Sequence, residues 1–228
     1  MRVVVTGANR GIGLELARQL ARRGDQVEAG VRDPSAAGEL AGQPGVRVHA
    51  LDVADAGSVK AFAAAVGSAP IDMVFNVAGV IAKASGLGQL AEDLTLAEAA
   101  RVFDVNALGA LRVTIALLPA VRKGTAKKLV HVTSGMGSIE DNKSGGAYAY
   151  RMAKVALNMM SRSLSVDLRA DGITSVVINP GWVKTDMGGA SAPTPVAESV
   201  AGILREVDRA TLADSGEFLN WKGNRYPW

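Results

Sequence analysis

The chain has 228 residues, is 48% hydrophobic and carries a net charge of +3, so it can bury one sizeable core. It lacks a basic run with interleaved aromatic residues, which argues against nucleic-acid binding. It has no cysteine and only two histidines, His49 and His131, both within apolar strand-like stretches. This composition excludes disulfides and cysteine-ligated metals and predicts no metal site.

Strand-like and helix-like segments alternate along the sequence, starting with a β-branched strand at residues 2–6 and an amphipathic helix at residues 14–20. Further strands are predicted at residues 26–31, 46–51, 72–77, 128–132, 173–178 and 216–219. Further helices are predicted at residues 55–66, from Thr95 towards Arg122 with an interruption near Asn106, at residues 147–168, and from Thr194 or Pro195 to Val207. This alternation predicts a single doubly wound α/β domain over residues 1–228, with a mainly parallel sheet of about seven strands and helices on both faces.

A glycine-rich turn at residues 7–13 joins the first strand to the first helix with the spacing Gly-x-x-x-Gly-x-Gly. Glycines there permit a tight turn and let backbone N–H groups approach a ligand closely. The N-terminus of the following helix adds unpaired donors and the positive end of the helix dipole, which suits a pyrophosphate. An ordinary strand-to-helix turn is the alternative, but the position in the first loop of an alternating chain favours nucleotide binding.

Tyr150 and Lys154 are four residues apart on the long predicted helix, so their side chains share one face. A phenol ordinarily holds its proton to about pH 10, and a neighbouring ammonium group lowers that pKa. Such pairs are common on solvated helix surfaces. In this context the pair predicts a proton donor or acceptor that works near neutral pH.

The loops with informative residues all follow strands, and such loops meet at the edge of a parallel sheet where ligands bind. In combination they resemble the short-chain dehydrogenase/reductase family over essentially the whole chain. The matching motifs are Thr6-Gly7-x-x-x-Gly11-x-Gly13, Asn76-Val77-Ala78-Gly79, Asn106, Ser134, Tyr150-x-x-x-Lys154 and Pro180-Gly181-x-x-x-Thr185. Residues 132–139, 148–151 and 218–228 are similar to the C-factor-like branch of carbonyl reductases. The resemblance implies a Rossmann-like, NAD(P)-binding domain.

The resemblance also implies a catalytic group of Asn106, Ser134, Tyr150 and Lys154. Tyr150 would donate a proton to the carbonyl oxygen during reduction and accept it during oxidation. Lys154 would lower the pKa of the phenol and hold the nicotinamide ribose, while Ser134 would hydrogen-bond to the substrate oxygen. Asn106 would help to hold a water between Lys154 and solvent.

Two neighbouring residues compete for these roles. Ser138 is an alternative to Ser134, which is preferred because it directly follows the fifth strand. Tyr148 lies near the site but is six residues from Lys154, which directs it to another helix face.

The end of the second strand indicates which nicotinamide cofactor is bound. In the family, NAD users place an acidic residue there and NADP users an arginine. Val31 aligns with the acidic position, Arg32 follows it, and Arg10 lies in the glycine turn, so two guanidinium groups can grip a 2′-phosphate. We therefore predict NADP(H) rather than NAD. Alternatively, Arg32 is a solvated turn residue paired with Asp33, and a shift of one residue in the alignment would weaken the prediction.

The predicted cofactor contacts follow the same edge of the sheet. They are Gly7, Asn9, Arg10, Gly11, Ile12, Gly13, Arg32, Asp52, Val53, Asn76, Ala78, Gly79, Tyr150, Lys154, Pro180, Gly181, Val183 and Thr185. Asp52 could equally cap the following helix. Met136, Ile139, Trp182 and Met187 are candidates for an apolar substrate pocket, although each could also be an ordinary core residue.

The apolar runs, such as residues 74–82, are far shorter than the ~20 residues that a membrane helix needs, and no signal peptide is evident. We therefore expect a soluble, cytoplasmic protein without nucleic-acid or membrane partners, and family resemblance implies a homodimer or homotetramer. The predicted activity is hydride transfer between NADP(H) and a small, moderately hydrophobic carbonyl or alcohol. The alternative is an NAD(P)-binding signalling or regulatory protein of C-factor type with little catalytic role.

Overall fold

One parallel sheet organises the molecule. The computed structural model describes residues 1–82 and 95–228, and in this part of the chain seven strands pair in the order β3-β2-β1-β4-β5-β6-β7. The strands are β1 (Arg2–Thr6), β2 (Gln26–Val31), β3 (Val46–Ala50), β4 (Met73–Asn76), β5 (Lys128–Val132), β6 (Thr174–Asn179) and β7 (Phe218–Asn220). Every neighbouring pair is parallel. The predicted doubly wound α/β fold is therefore confirmed.

Helices cover both faces of this sheet. They are α1 (Gly11–Arg22), α2 (Ala56–Val66), α3 (Leu96–Phe103), α4 (Gly109–Val121), α5 (Tyr148–Asp167) and α6 (Val196–Arg209). A π-helical turn at Asp104–Leu108 joins α3 to α4, which confirms the interruption predicted near Asn106. The last strand begins two residues later than predicted, because Gly216 adopts a left-handed φ of +91° and cannot extend the strand.

Side chains alternate between two apolar cores. In β1, Val3 and Val5 pack with α1 and α6, whereas Val4 faces α2 and α4. Phe62 of α2 and Leu20 of α1 are among the largest fully buried side chains of the two cores. Burial on both faces explains why the central strands β1 and β4 are almost continuously apolar.

The strand order reverses between β1 and β4, and ligands bind at such reversal points in doubly wound sheets. Here the Thr6 hydroxyl oxygen accepts hydrogen bonds from the backbone N–H groups of Val77 (3.0 Å) and Ala78 (3.1 Å). These bonds hold the loop after β4 beside the glycine turn after β1. The fold thus forms a cleft at the carboxyl edge of the sheet.

The helical stretch Leu96–Val121, which spans α3, the π turn and α4, is long and apolar enough to cross a membrane by length and composition, with a mean hydropathy of 1.5. The prediction that the apolar runs are too short was wrong for this stretch, because it considered uninterrupted runs and not a helix with scattered polar residues. The core helix of a soluble protein passes the same test. Here Val113, Leu117 and Val121 of α4 pack against the sheet.

Candidate active site

The glycine turn leaves room for a ligand at the start of α1. Gly7 and Gly11 have φ values of +66° and +54°, a region that favours glycine. A Cβ on Gly13 would lie 2.2 Å from the carbonyl oxygen of Gly7, and one on Gly7 would lie 2.9 Å from the Cα of Ala78. No side chain among the described residues caps the N-terminus of α1, where Arg10 is the extended flanking residue. This arrangement is suited to a pyrophosphate.

A cleft of about 890 Å³ runs from the glycine turn along the carboxyl edge of the sheet. Its size is typical of a cofactor and substrate site. The predicted cofactor contacts that line it are Gly7, Asn9, Arg10, Gly11, Ile12, Gly13, Arg32, Asp52, Val53, Ala78, Gly79, Tyr150, Lys154, Pro180, Gly181, Val183 and Thr185. These residues come from six separate loops and helices and form one continuous cleft wall.

Asn76 is the exception, because its side chain does not line the cleft, and its contact with the cofactor stays a prediction. It is the last residue of β4, and its amide nitrogen donates to the Thr114 hydroxyl (3.1 Å) and lies 3.1 Å from Nδ1 of His131. Alternation along the strand directs the side chain towards α4 and away from the cleft. Burial, together with the positive charge of Lys154, lowers the pKa of His131 to about 3, so this ring is neutral.

Three of the predicted catalytic residues meet near the end of β5 and form a triplet of Ser134, Tyr150 and Lys154. The Ser134 hydroxyl lies beside the Tyr150 phenol, close enough to influence its pKa. Nζ of Lys154 donates to the Val132 carbonyl oxygen (2.9 Å) and lies 5.6 Å from the centre of the Tyr150 ring. Tyr150 and Lys154 are both buried, at 8% and 5% exposure, although both line the cleft. The four-residue spacing on α5 produces this juxtaposition.

Burial determines the protonation of the pair. It raises the pKa of Tyr150 to about 12, and the neighbouring Ser134 hydroxyl opposes the rise. Burial also lowers the pKa of Lys154 to about 8. For the protein on its own the pKa of the phenol is therefore raised overall, because removal from water disfavours the phenolate. The lowering of this pKa by Lys154 stays a prediction. At neutral pH the phenol is protonated and can donate its proton.

Asn106 lies in the π turn and holds the loop after β4. Its side-chain oxygen accepts from the Val80 N–H (2.8 Å) and its amide nitrogen donates to the Val80 carbonyl oxygen (2.8 Å). It is 1% exposed and does not itself line the cleft. Asn106 thus supports Val80, which does line the cleft. Its role in holding a water stays a prediction.

The structure separates the competing residues. The Ser138 hydroxyl donates to the carbonyl oxygen of Trp228 (3.1 Å) and accepts from the Asp141 N–H (3.0 Å), so it fastens the C-terminal segment. Tyr148 is 42% exposed in the first turn of α5 and does not line the cleft. Ser134 and Tyr150 line the cleft, and the preference for them as catalytic residues stays a prediction.

Two arginines line the glycine-turn end of the cleft. Asp33 accepts from the N–H (2.9 Å) and hydroxyl (2.6 Å) of Ser35, and Arg32 has no ion pair within residues 1–82 and 95–228. The alternative pairing of Arg32 with Asp33 is therefore absent there. Arg10 faces Asp186 across the cleft at 3.1 Å, with both side chains exposed. The side chain of Asp55, and not that of Asp52, caps α2, because it accepts a hydrogen bond from the Ser58 N–H.

The opposite end of the cleft was only partly predicted. Met136, Trp182 and Met187 line it, whereas Ile139 follows a short 3₁₀ turn, points outward and is 71% exposed. The residues missed at this end are Arg101, Asp141, Ser144, Arg151 and Tyr226. Arg151 could have been suspected because it directly follows Tyr150. Tyr226 carries no local signal, because its hydroxyl reaches Asp141 (2.7 Å) from the C-terminal segment.

A family model described as short chain dehydrogenase matches residues 1–195. The chain therefore belongs to the short-chain dehydrogenase/reductase family of oxidoreductases, which act on small-molecule substrates.

Similar proteins include C-signal of Myxococcus xanthus, which is 49% identical over 170 residues, covering 75% of this chain and 100% of that protein. The 1-hydroxy-2-glutathionyl-2-methyl-3-butene dehydrogenase of Rhodococcus sp. strain AD45 is 37% identical, with 99% of both chains covered. Among solved structures, the NADPH-bound carbonyl reductase from chicken fatty liver has a TM-score of 0.92 and 35% identity, with 100% of this chain and 98% of that chain covered. The carbonyl reductase Sniffer of D. melanogaster has a TM-score of 0.93 and 29% identity, with coverage of 100% and 99%.

Proposed function

We propose that the protein is an NADP(H)-dependent carbonyl reductase that interconverts the carbonyl and alcohol of a small, moderately hydrophobic substrate. The observation that carries the proposal is the triplet of half-buried Ser134 and buried Tyr150 and Lys154 at one wall of the cleft. A protein that only binds a nucleotide has no need of a buried, protonated phenol beside a serine hydroxyl and an ammonium group.

The residues of the cleft fit a nicotinamide dinucleotide. A side chain at Gly7 or Gly13 would collide with backbone atoms, so only glycine permits this tight turn, whose backbone N–H groups a ligand could approach. Arg10 and Arg32 line the same end and suit the 2′-phosphate of NADP(H). The NADPH-bound state of the similar chicken enzyme supports this preference. When bound, such a cofactor supplies or accepts the hydride.

The chain's own groups would manage the proton and the substrate. During reduction Tyr150 would transfer its phenolic proton to the carbonyl oxygen, as a general acid. The Ser134 hydroxyl would donate a hydrogen bond to the same oxygen and stabilise its developing negative charge. Lys154 would stabilise the phenolate that is left, because its ammonium group lies beside the ring.

The proposal is tested by an absorbance screen in which purified protein, NADPH or NADH, and a panel of aldehydes and ketones are combined. We expect oxidation of NADPH with at least one carbonyl, and faster turnover with NADPH than with NADH. Tight NADPH binding without turnover on any member of the panel would contradict the enzymatic proposal.

A second candidate is an NAD(P)-binding signalling or regulatory protein, which is favoured by the 49% identity to C-signal. This candidate predicts cofactor binding with no turnover, the result that contradicts the first proposal in the same screen. The predicted homodimer or homotetramer and the cytoplasmic location stay predictions.

A further inference from the structure

Arg151, the residue after Tyr150, presents a positive charge to the cleft without an acidic partner. It is partly buried and lines the cleft on the side of Met136. Its guanidinium donates to four neutral oxygens, those of Gly145 (3.2 Å), Gly146 (3.1 Å), Met136 (3.4 Å) and the Ser144 hydroxyl (2.9 Å). Among the described residues no carboxylate lies within 4.0 Å of it.

The hydrogen bonds leave part of the guanidinium unused. Of its five N–H groups, the bonds engage the one on Nε, one on Nη1 and one on Nη2. One N–H on each terminal nitrogen therefore has no partner in residues 1–82 and 95–228. Two such donors on one rigid plane match the two oxygens of a carboxylate.

The other charged groups around this end of the cleft do not pair with Arg151 in the described part of the chain. Arg101 of α3 lines it as well, donating to the Ile81 carbonyl oxygen (3.2 Å) and standing 3.9 Å from the Glu98 carboxylate. Asp141 and Asp186 also line the cleft, where Asp141 accepts the Tyr226 hydroxyl hydrogen bond and Asp186 pairs with Arg10. Arg10 and Arg32 belong to the glycine-turn end and are already assigned to the cofactor.

We propose that Arg151 recognises a carboxylate on the substrate, so that the preferred substrates are carbonyl compounds that also carry a negatively charged carboxylate. The inference rests on the proposed carbonyl reduction and adds to it a substrate class. Arg151 binds the anionic group and Tyr150 acts on the carbonyl. The two residues are neighbours on α5 and line the same cleft, so one substrate can reach both. The bonds to Gly145, Gly146 and Ser144 keep the guanidinium in a fixed position at the cleft wall.

Kinetics on matched substrates test the assignment. The probes are 3- and 4-carboxybenzaldehyde and their methyl esters, which differ from the acids mainly in charge. For the natural chain we expect higher kcat/KM for at least one acid than for its ester, with a KM for the acid that rises with salt. In Arg151→Gln the ratio of kcat/KM for the acid to kcat/KM for the ester should fall about 10- to 100-fold, because KM for the acid rises. The value of kcat/KM for the ester should change little.

Two controls separate charge recognition from loop structure. Lys143→Gln removes a positive charge from the same loop, at an exposed residue that does not line the cleft, and should leave the ratio unchanged. Arg151→Lys should retain part of the preference for the acid over the ester. Lysine keeps the positive charge but lacks the two parallel N–H donors of the guanidinium group. An equal loss for acid and ester in Arg151→Gln would assign Arg151 to holding the loop and overturn the inference, as would equal kcat/KM for acids and esters in the natural chain.

Calorimetry distinguishes this inference from the proposed function. 4-Carboxybenzaldehyde and its methyl ester are titrated into the natural chain and Arg151→Gln, each saturated with NADP⁺, where no reduction can occur. Tighter binding of the acid that depends on Arg151 supports the inference even if the screen finds no turnover. Binding of the acid that is equal to that of the ester, or unchanged in Arg151→Gln, would overturn it while leaving carbonyl reduction intact.

Discussion

The two ends of the cleft are built in different ways. The glycine-turn end consists mainly of backbone, from loops that directly follow β1, β2 and β3, and its shape depends on glycines whose Cβ atoms would collide with neighbouring atoms. The opposite end consists of side chains from α3, α5, the segment after β5 and the C-terminus, of which Tyr226 and Asp141 meet across 85 positions of sequence. The glycine-turn end can thus be recognised from short sequence motifs. The opposite end forms only when residues that are distant in sequence meet in the folded protein.

The largest effect at the glycine-turn end is expected from Gly13→Val. A Cβ at this position would lie 2.2 Å from the Gly7 carbonyl oxygen, and backbone cannot move aside cheaply. We expect NADPH binding, measured by fluorescence titration, to weaken by at least about 100-fold, or about 2.7 kcal/mol. Gly42→Ala is the matched control, because a Cβ there meets nothing within 4 Å. Retained affinity in Gly13→Val would show that the ligand does not approach this turn.

A smaller effect is expected from Arg32→Ala at the same end. Loss of one guanidinium contact to a 2′-phosphate should weaken NADPH by about 10- to 30-fold and NADH by much less. Titration of both cofactors into Arg32→Ala measures the difference. Arg22→Ala, an exposed arginine at the end of α1 that does not line the cleft, should change neither affinity. Equal weakening of both cofactors would remove the argument for NADP(H).

The triplet between the two ends predicts a pH dependence. Lys154 has its pKa lowered to about 8 by burial, so its ammonium is charged below that pH and neutral above it. Since the charge stabilises the phenolate left on Tyr150, kcat/KM for reduction should be flat below pH 8 and fall about tenfold per pH unit above it. In Lys154→Arg the residual activity should lose this decline, because arginine stays charged. A natural-chain profile flat to pH 10 would exclude Lys154 from this role.

The smallest effect is expected from Asp186→Asn. The ion pair between Arg10 and Asp186 joins two exposed side chains, and such pairs contribute roughly 0–1 kcal/mol. Its removal frees Arg10 for the cofactor, so NADPH affinity should stay the same or tighten by up to about threefold. A large loss of affinity would instead show that Asp186 organises the cleft.

The same contrast explains what could be predicted from the sequence. The strand limits follow from β-branched runs bounded by glycine and proline, and the glycine turn and the Tyr150–Lys154 spacing are short local patterns. The side-chain direction of Asn76 at the end of its strand, and that of Ile139 after a 3₁₀ turn, depended on geometry that such patterns do not contain. Neither of these two side chains lines the cleft.

The pKa of Tyr150 illustrates a second limit. Spacing alone shows that Lys154 is near, but the sign of the shift depends on how far both groups are withdrawn from water. Burial is a property of the assembled molecule, in which α3 packs on α5 through Val102 and Ala153. The contribution of Arg101 and Tyr226 to the cleft was missed for the same reason, since each reaches it from a distant element.

The central claim is that the buried phenol of Tyr150 is the proton donor, and Tyr150→Phe tests it most directly beside Tyr148→Phe as the matched control. With a carbonyl identified in the screen, we predict that Tyr150→Phe lowers kcat roughly 100- to 10,000-fold while NADPH still binds. Tyr148→Phe, which changes an exposed ring outside the cleft, should retain the activity of the natural chain. Undiminished turnover in Tyr150→Phe would contradict the account.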